Sequence, residues 1–434
     1  MKRYDTYKNS GIEWIGEIPE HWSMKKLKNE LDFNTGFTPP SGNSDYYNNG
    51  ENIWITIRDM KGKYLDNSKT KITDLVIEKY KPKILPKNSL LFSFKLSIGK
   101  VAFNLKDLYT NEAIFSISPN EEVNLKFFYY SLPLQVVENA NENIYGAKIL
   151  NQELIRNSNL LLPPKQEQTK IANYLDQKTT EIDQLISQKE SLLKLYEEEK
   201  TAIINQAVTK GINPKVKLKD SGVDWLGEIP VHWEVKKLKY VVSKIGSGVT
   251  PRGGASVYQL SGIPFLRSQN IHFDRIILDN VAYISESINN KMEGSKVFQN
   301  DVLLNITGAS IGRCYFVTNE FEEANVNQHV CIIRPKKLIF TKFLYYILRS
   351  NIGQEQIRQE QTGSGREGLN FEVLKQFYLP FLRKEEQTQI VNHIETETTK
   401  INTKVTNTNK LIALLKEYKT ALISEVVTGK IKVN

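Results

Sequence analysis

KNSGIEWIGEIPEHWSMKKLK, at residues 8–28, returns almost unchanged as KDSGVDWLGEIPVHWEVKKLK at residues 219–239. The second copy starts 211 positions after the first, and its glycines, prolines and tryptophans keep their places. A string of this length does not recur by chance, so the chain is a tandem duplication. Two copies of one fold in a single chain predict a pseudo-two-fold molecule that presents the same surface twice.

The duplication extends along the whole chain, with ends that agree and middles that differ. The other matched segments are GFTPPSG (36–42) with SGVTPRG (247–253), LPPKQEQTKI (162–171) with LPFLRKEEQTQI (379–390), and EEKTAIINQAVTKG (198–211) with EYKTALISEVVTGK (417–430). Residues 41–95 and 252–306, by contrast, have diverged. This pattern indicates a shared scaffold that carries a different surface in each copy.

Each copy ends in a long segment with helical periodicity. Residues 166–208 contain neither glycine nor proline, and neither do residues 385–427. At 1.5 Å per residue, about 43 residues make a helix of roughly 65 Å. Apolar residues, mostly on steps of three, four or seven, form one narrow stripe on each helix: Ile171, Tyr174, Ile182, Leu185, Leu192, Tyr196, Ile203 and Ala207, then Ile390, Ile394, Ile401, Leu411, Leu415, Tyr418, Leu422 and Val426.

A stripe of this kind requires a partner helix, which lies either in a second chain or in the other copy. The other copy is already tethered, so intramolecular pairing is favoured over a homodimeric coiled coil. An antiparallel pair would hold the two globular regions apart and act as a spacer between them.

The globular regions are predicted to be mostly β. Runs such as NIWITIRDM (52–60) and DVLLNITGASIGRCYFV (301–317) are rich in β-branched and aromatic residues. Helical spacing predicts further helices at 124–140 and 340–358. The fold class is therefore α+β, with two mostly-β domains joined by two long helices that form an intramolecular antiparallel coiled coil. The predicted boundaries are 1–163 for the first domain, 164–212 for the central helix, 213–380 for the second domain and 381–434 for the C-terminal helix.

Composition and charge narrow the class of protein. The chain has 434 residues, a net charge of +9 and a pI near 9.1. Residues 165–212 and 381–434 contain 16 basic and 14 acidic side chains, so +7 of the +9 lies outside the long helices. This excess suits a phosphate backbone. No apolar run is long enough to cross a bilayer, and the N-terminus lacks a secretory signal, so a cytoplasmic protein is expected.

The residues that carry most enzymatic chemistry are missing from the sequence. There is no GxxxxGK[ST] phosphate loop, no D/N-P-P-Y/F amino-methyltransferase motif and no Pro-Asp start of a PD-(D/E)xK nuclease motif. Cys314 and Cys331 lack the paired spacing of a zinc site and are predicted to be buried strand residues. His21 and His232 stand beside repeated tryptophans, which favours packing or a hydrogen bond over catalysis. The chain is therefore predicted to be non-catalytic.

The order of these features resembles a known family, the specificity subunits of Type I restriction–modification systems. Each long helix is introduced by Leu-Pro, then Glu-Gln, then an apolar residue, and the W-I/L-G-E-I-P-x-H-W segment is used twice (14–22 and 225–233). The residues that carry this resemblance are Leu162, Pro163, Glu167, Gln168 and Ile171, then Leu379, Pro380, Glu386, Gln387 and Ile390. The resemblance covers essentially the whole chain.

The resemblance implies a division of labour in a restriction–modification complex. Each globular region would be a target-recognition domain that reads one half of a split site in double-stranded DNA. The helices would set the gap between the halves and dock two methyltransferase subunits, and restriction/translocase subunits would join them. S-adenosylmethionine, ATP and Mg²⁺ would belong to those partners, so this chain would need no cofactor.

Two other functions remain open from the sequence. One is a coiled-coil scaffold whose duplicated domains bind proteins, which would have little affinity for DNA. The other is the specificity chain of a different bipartite restriction enzyme. Neighbouring genes for a methyltransferase and an ATP-dependent nuclease would discriminate in favour of the Type I system.

Candidate DNA-contacting residues are those that can read base edges or bind phosphate from loops on a rigid scaffold. Arg and Lys recognise guanine, and Asn and Gln recognise adenine, in the major groove. In the first domain the candidates are Thr38, Ser41, Asn43, Arg58, Lys61, Lys63, Tyr145 and Lys148. In the second domain they are Thr250, Arg252, Gly253, Arg267, Ser268, Gln269, Asn270, Ser364 and Arg366.

Overall fold

A computed structural model describes residues 2–142, 148–364 and 368–433. The chain divides into two compact units. The first unit comprises residues 1–189 together with 410–434, and the second comprises Glu190–Asn409. The boundary falls inside both long helices, so each unit contains a segment of each. The four-segment division by sequence stays a prediction, since the compact units cut the chain elsewhere.

Within its described residues, the first unit combines short strands with four helices that precede the central helix. The strands are Tyr7–Asn9, Glu17–Pro19, Ser23–Lys26, Asn34–Thr35, Asn52–Ile55, Tyr64–Leu65, Lys71–Ile72, Leu90–Ser93, Val101–Asn104, Tyr109–Thr110, Ile114–Ile117, Asn141–Glu142, Lys148–Ile149 and Asn159–Leu162. The helices are Leu27–Glu30, Asp74–Tyr80, Leu125–Val137 and Gln152–Arg156, with a 3₁₀ turn at Ser44–Tyr46.

Two sheets organise the globular part of the first unit. A five-stranded sheet has the order Asn34–Thr35, Ile114–Ile117, Leu90–Ser93, Val101–Asn104, Tyr64–Leu65. A three-stranded sheet has the order Tyr109–Thr110, Asn52–Ile55, Lys71–Ile72. Their apolar faces supply core residues such as Ile55, Leu91 and Ile114, all of which are fully buried.

The second unit repeats this organisation. Its strands are Leu218–Asp220, Glu228–Pro230, Glu234–Lys237, Val242–Ser247, Ile263–Leu266, Ala282–Ile284, Lys296–Val297, Val302–Asn305, Cys314–Phe316, Ala324–Val326, Val330–Pro335 and Tyr378–Phe381. Its helices before the C-terminal helix are Leu238–Val241, Glu286–Lys291, Thr341–Arg349, Asn351–Ser364 and Phe371–Lys375, and its 3₁₀ turns are Gly254–Val257, Ser268–Asn270, Glu293–Ser295 and Gly308–Ser310.

Among the described residues, the two largest sheets of the second unit are four-stranded. One has the order Val242–Ser247, Val330–Pro335, Val302–Asn305, Cys314–Phe316 and the other Ala282–Ile284, Ile263–Leu266, Ala324–Val326, Lys296–Val297. Cys314 and Cys331 both lie across from Leu304 in the first of these sheets and are fully buried. The prediction that they are buried strand residues is confirmed.

A pair of antiparallel strands closes each globular part where its chain enters and leaves. Ser23–Lys26 pairs with Asn159–Leu162 in the first unit, and Glu234–Lys237 pairs with Tyr378–Phe381 in the second. The strands that leave run directly into the long helices. The segments that agree most closely between the copies therefore form the scaffold that joins each domain to its helix.

The two long helices are confirmed almost to the residue. The central helix spans Lys165–Lys210 and the C-terminal helix spans Lys384–Val427. Gly211 follows the first helix with φ +73°, and Gly429 lies just beyond the second with the same φ. Glycine adopts this left-handed conformation without steric strain, which is why both helices stop there.

The long helices pair antiparallel inside each unit, which confirms intramolecular pairing. In the first unit the Lys419 ammonium lies 2.6 Å from the Asp183 carboxylate. In the second unit the Lys404 ammonium lies 5.7 Å from the centre of the Tyr196 ring. Residue numbers increase along the central helix while those of the contacted residues on the C-terminal helix decrease, as antiparallel pairing requires.

The apolar stripe was predicted one residue out of register near the middle of each helix. Leu185, Leu411 and Tyr418 are exposed, while the neighbouring Ile186 and Ile412 are buried at 8% and 7% exposure. A straight α-helix has 3.6 residues per turn, so its buried face drifts relative to a strict seven-residue repeat. Where two adjacent residues are both apolar, as in Leu185-Ile186, that drift decides which of them is buried.

The shorter predicted helices are present with one interruption. The helix expected at 124–140 spans Leu125–Val137, but the one expected at 340–358 is two helices that meet at Ser350. Ser350 has extended backbone angles, φ −70° and ψ 172°. The second of these helices then folds back so closely that a Cβ on Gly353 would overlap the backbone of Leu348.

Candidate nucleic-acid interface

At the first junction between a globular part and a long helix, one carboxylate contacts three side chains of the N-terminal segment. Glu167, in the first turn of the central helix, accepts hydrogen bonds from the Trp22 indole N–H at 3.2 Å and from the Tyr4 hydroxyl. The His21 Nε2 lies 2.8 Å from Oε2 of Glu167, the oxygen that also accepts the Trp22 indole N–H. Burial, with Glu167 as acceptor, raises the pKa of the Tyr4 phenol far above its usual range, so Tyr4 stays a neutral donor.

The second junction repeats this arrangement. Glu386 accepts the Trp233 indole N–H at 3.0 Å, and the His232 Nε2 lies 2.9 Å from the same carboxylate. The prediction that the repeated histidines pack or form hydrogen bonds is confirmed. These groups fasten a fully buried tryptophan to a helix start, which is a structural task.

Two parallel strands in each unit end at a common edge. Asn52–Ile55 pairs in parallel with Tyr109–Thr110, and Ile263–Leu266 pairs in parallel with Ala324–Val326. Parallel strands bring their carboxyl ends together, so the loops that follow both strands emerge side by side. We call this side of each strand pair the carboxyl edge.

A glycine brings a third loop onto each carboxyl edge. A Cβ on Gly36 would overlap the backbone carbonyl of Thr110, and a Cβ on Gly248 would overlap that of Val326. Only glycine permits so close an approach of two backbones. The matched segments GFTPPSG and SGVTPRG therefore place the same loop at the same edge in each unit.

The candidates Thr38 and Thr250 lie in this glycine-anchored loop. The Thr38 hydroxyl oxygen is shielded from solvent and has no hydrogen-bond partner within the described residues. Thr250 is exposed, and its hydroxyl donates to the Gln328 side chain. Both residues thus reach the edge that the sequence alone could not locate.

The turn after the first strand of each pair is built twice from different residues. The Thr56 N–H donates to the Asp59 carboxylate at 2.8 Å, and the Asp59 N–H donates to the Thr56 carbonyl at 3.0 Å. The Arg267 N–H donates to the Asn270 amide oxygen at 2.9 Å, and the Asn270 N–H donates to the Arg267 carbonyl at 2.8 Å. The two turns are 211 positions apart, the shift of the repeat itself.

Of the candidates in these turns, Arg58 and Gln269 point away from the protein. Both are exposed, and neither side chain has a hydrogen-bond partner within the described residues. Asn270 is 2% exposed, and its amide N–H₂ also donates to the Ile277 carbonyl at 2.9 Å. The Arg267 guanidinium lies 5.6 Å from the centre of the Tyr258 ring.

Sequence reasoning missed one residue on each edge. Glu112 and Gln328 are exposed and occupy the same place, directly after the asparagine that follows the second parallel strand. The Asn111 N–H donates to the Ile55 carbonyl at 3.0 Å, and the Asn327 N–H makes the same bond at 3.1 Å in the other copy. The available signal was the repeated Asn followed by a carboxylate or carboxamide.

The remaining candidates of the first domain fall into two groups. Ser41 and Lys61 are exposed, and Lys61 directly follows the turn. Asn43 accepts the Asp45 N–H at 3.0 Å and so caps a 3₁₀ turn, while Lys63 forms an ion pair with Asp176 of the central helix. Lys148, likewise, forms an ion pair with Glu138 at 3.0 Å. Tyr145 lies outside the described residues.

The remaining candidates of the second domain are mostly on loops. Arg252 and Gly253 are exposed in the loop that follows Thr250, and Gly253 has φ +100°. The backbone carbonyl of Ser268 accepts the Asn305 side-chain amide at 2.8 Å. Ser364 ends the helix that starts at Asn351, and Arg366 lies outside the described residues.

No helix in the described part of the chain is long and apolar enough to span a membrane. Within the same residues, no cluster of three or more histidine, cysteine or acidic side chains is arranged to hold a metal ion. The exposed groups on the carboxyl edges are hydroxyls, amides, cations and the Glu112 carboxylate.

The chain is similar to known proteins in both of its copies. The family model described as Type I restriction modification DNA specificity domain matches residues 19–195 and 230–413. The Type I restriction enzyme MjaIX specificity subunit of Methanocaldococcus jannaschii is 24% identical over 432 residues, 96% of this chain and 95% of the relative. The Type I restriction enzyme EcoBI specificity subunit of Escherichia coli is 29% identical over 300 residues, 66% of this chain and 61% of the relative.

Two solved structures share the fold. A chain from work on complex assembly and conformational transition of the type I R-M system aligns with a TM-score of 0.71 at 16% identity, covering 95% of this chain and 99% of that one. The HsdS subunit from Thermoanaerobacter tengcongensis aligns with a TM-score of 0.56 at 15% identity, covering 98% and 100%. Both alignments include the two repeats and the long helices.

Proposed function

The chain belongs to the family of Type I restriction–modification DNA specificity subunits, and we propose that each of its carboxyl edges reads one half of a bipartite site in double-stranded DNA. DNA recognition is the function of this family. The finer assignment, one edge to one half-site, is carried by a single observation. The edge formed by Asn52–Ile55 and Tyr109–Thr110 in the first unit has a counterpart formed by Ile263–Leu266 and Ala324–Val326 in the second, and the exposed side chains on the two edges differ.

Recognition of a bipartite DNA site whose two halves differ in sequence requires two similar edges with different side chains. The repeated hydrogen bonds of the turn and the repeated glycine contact keep the loops in place. The Arg58 and Gln269 side chains on those loops are free to vary, because they form no hydrogen bond within the described residues. One scaffold can therefore present two unrelated chemical patterns to two short stretches of DNA.

Exposure ranks the candidate residues. The candidates exposed on or beside the edge are proposed to contact DNA directly: Ser41, Arg58, Lys61, Thr250, Arg252, Gly253 and Gln269. Asn43 and Asn270 are proposed to hold loops in position, because their side-chain amides already bond to their own backbone. Lys63 is proposed to fasten the first domain to the central helix through Asp176.

The paired helices are proposed to set the gap between the half-sites and to dock two methyltransferase subunits, with restriction/translocase subunits joining that core. The chain itself is proposed to be non-catalytic. S-adenosylmethionine, ATP and Mg²⁺ are assigned to the partners, and the whole complex is assigned to the cytoplasm. The excess of +7 outside the long helices supports contact with DNA phosphates.

Co-expression of the chain with its cognate methyltransferase tests this proposal. Methylated adenines are then mapped across the genome of the host, with and without this chain. The proposal predicts two short specific blocks separated by a fixed gap, and complete loss of methylation when the chain is absent. Methylation that persists without the chain, or a continuous motif, would overturn it.

A further inference from the structure

The repeated turn points to one specificity-determining position in each domain. Arg58 is the third residue of the turn in the first unit, and Gln269 is the third residue of the same turn in the second. We infer that these two residues occupy one and the same reading position, and that they select a guanine in one half-site and an adenine in the other. This inference rests on the proposed function.

The turns match bond for bond around this position. The hydrogen bond that closes the turn around this position runs from the Asp59 N–H to the Thr56 carbonyl at 3.0 Å. In the second unit it runs from the Asn270 N–H to the Arg267 carbonyl at 2.8 Å. The next bond runs from the N–H of Met60 to the carbonyl of Ile57 at 3.3 Å, and its counterpart in the second unit is also 3.3 Å. The backbone therefore presents residues 58 and 269 in the same way.

The side chains of Asp59 and Asn270 hold this turn in place, so the fold does not need the side chain at position 58 or 269. The carboxylate of Asp59 also accepts the Lys69 N–H at 3.1 Å, and the amide of Asn270 also bonds to Ile277. Arg58 and Gln269 take part in none of these bonds and are exposed. A side chain that the fold does not use, on a turn that the fold holds rigid, is suited to recognition.

The hydrogen-bonding groups of Arg58 and Gln269 determine which base each would recognise. The guanidinium of Arg58 presents two parallel N–H donors, which match the O6 and N7 acceptors of guanine. The carboxamide of Gln269 presents one donor and one acceptor, which match the N7 and N6 groups of adenine. A contact of this kind discriminates against the wrong base by about fivefold to 150-fold.

Reciprocal exchange tests the inference in the complex with the methyltransferase. Arg58→Gln is expected to change one base pair in one block of the methylated motif, from G·C towards A·T, and to leave the other block unchanged. Gln269→Arg is expected to do the reverse in the other block. Lys87→Gln is the control, because exposed Lys87 flanks the bridge between Leu85 and Leu108 at the opposite end of the second parallel strand. This control removes one positive charge, as Arg58→Gln does, and is expected to leave both blocks unchanged.

A second variant decides the case in which Arg58→Gln abolishes methylation. Arg58→Lys keeps the charge but loses the paired donors. Binding of its complex is measured on duplexes that differ from the site at one base pair each. Loss of preference at one base pair, by about fivefold or more, supports the inference. A uniform change on all duplexes indicates a phosphate contact and overturns it.

Failure of this inference is distinguishable from failure of the proposed function. If both exchanges leave a split motif unchanged at every position, residues 58 and 269 do not read bases, although the chain still specifies the site. If no split motif exists in the wild type, the proposed function itself fails.

Discussion

Replacing Glu386 by alanine should destabilise the second unit by about 2–3 kcal/mol. Glu386 accepts the indole N–H of Trp233 at 3.0 Å, and that ring is fully buried. An orphaned buried donor costs about 1–3 kcal/mol. The neighbouring His232 has an exposed side chain, so its loss of contact with the carboxylate adds less than about 1 kcal/mol.

The neighbouring Glu385 provides the matched control. It lies in the same first turn of the C-terminal helix, is exposed, and has no hydrogen-bond partner within the described residues. Glu385→Ala and Glu386→Ala both remove a negative charge from the helix N-terminus, which costs about 0.3–1 kcal/mol. Only Glu386→Ala also leaves the buried indole unpaired, so the difference between the two variants isolates the junction.

Thermal and urea unfolding, followed by hydrogen exchange of the peptides around residues 226–238, measure this difference. For a unit of about 220 residues, each 1 kcal/mol corresponds to about 2–4 °C in Tm. Glu386→Ala should therefore unfold about 4–12 °C below the wild type, with faster exchange at those peptides. Equal effects of the two variants would refute the assignment of Glu386 to this junction.

Further predictions concern the glycine contact and the buried thiols. Gly248→Ala should destabilise the second unit by more than about 2 kcal/mol, because its Cβ would overlap the Val326 carbonyl. In Gly246→Ala the added Cβ meets no neighbouring atom, so this variant should cost little. Equal urea midpoints for the two variants would contradict the prediction. Burial raises the pKa of Cys314 and of Cys331 to about 12; at pH 8 both thiols should resist iodoacetamide until urea unfolds the unit, and labelling of the native protein by mass spectrometry would contradict this.

The scaffold could be predicted from the sequence because it is repeated and locally encoded. The absence of glycine and proline from 166–208 and from 385–427 already bounded the long helices. The twice-used His-Trp pair indicated a shared structural role before any distance was known. What sequence could not supply was its partner, since Trp22 and Glu167 are 145 residues apart.

The candidate site was predicted less well, for physical reasons. An asparagine in a turn looks the same in sequence whether its amide faces DNA or bonds to its own backbone, as Asn270 does. Lys63 has the composition of a DNA contact, but its ion pair with Asp176 spans 113 residues. Gln328 stands between two apolar runs, so its sequence context does not show that its side chain is exposed at the end of a strand.

Of the alternatives left open by the sequence, the coiled-coil scaffold differs from the proposed function in that its duplicated domains would bind proteins and not DNA. Membership of the specificity family and the two matched carboxyl edges favour DNA over protein partners. The central claim is that each domain acts alone on its own half of the site.

Exchange of one domain tests that claim most directly. Residues 1–160 are replaced by the corresponding segment of another specificity subunit whose methylated motif is known, and the chimera is expressed with the methyltransferase. The account predicts that one block of the motif changes to that of the donor while the other block and the gap stay the same. A chimera in which both blocks change, or in which neither does, would contradict it.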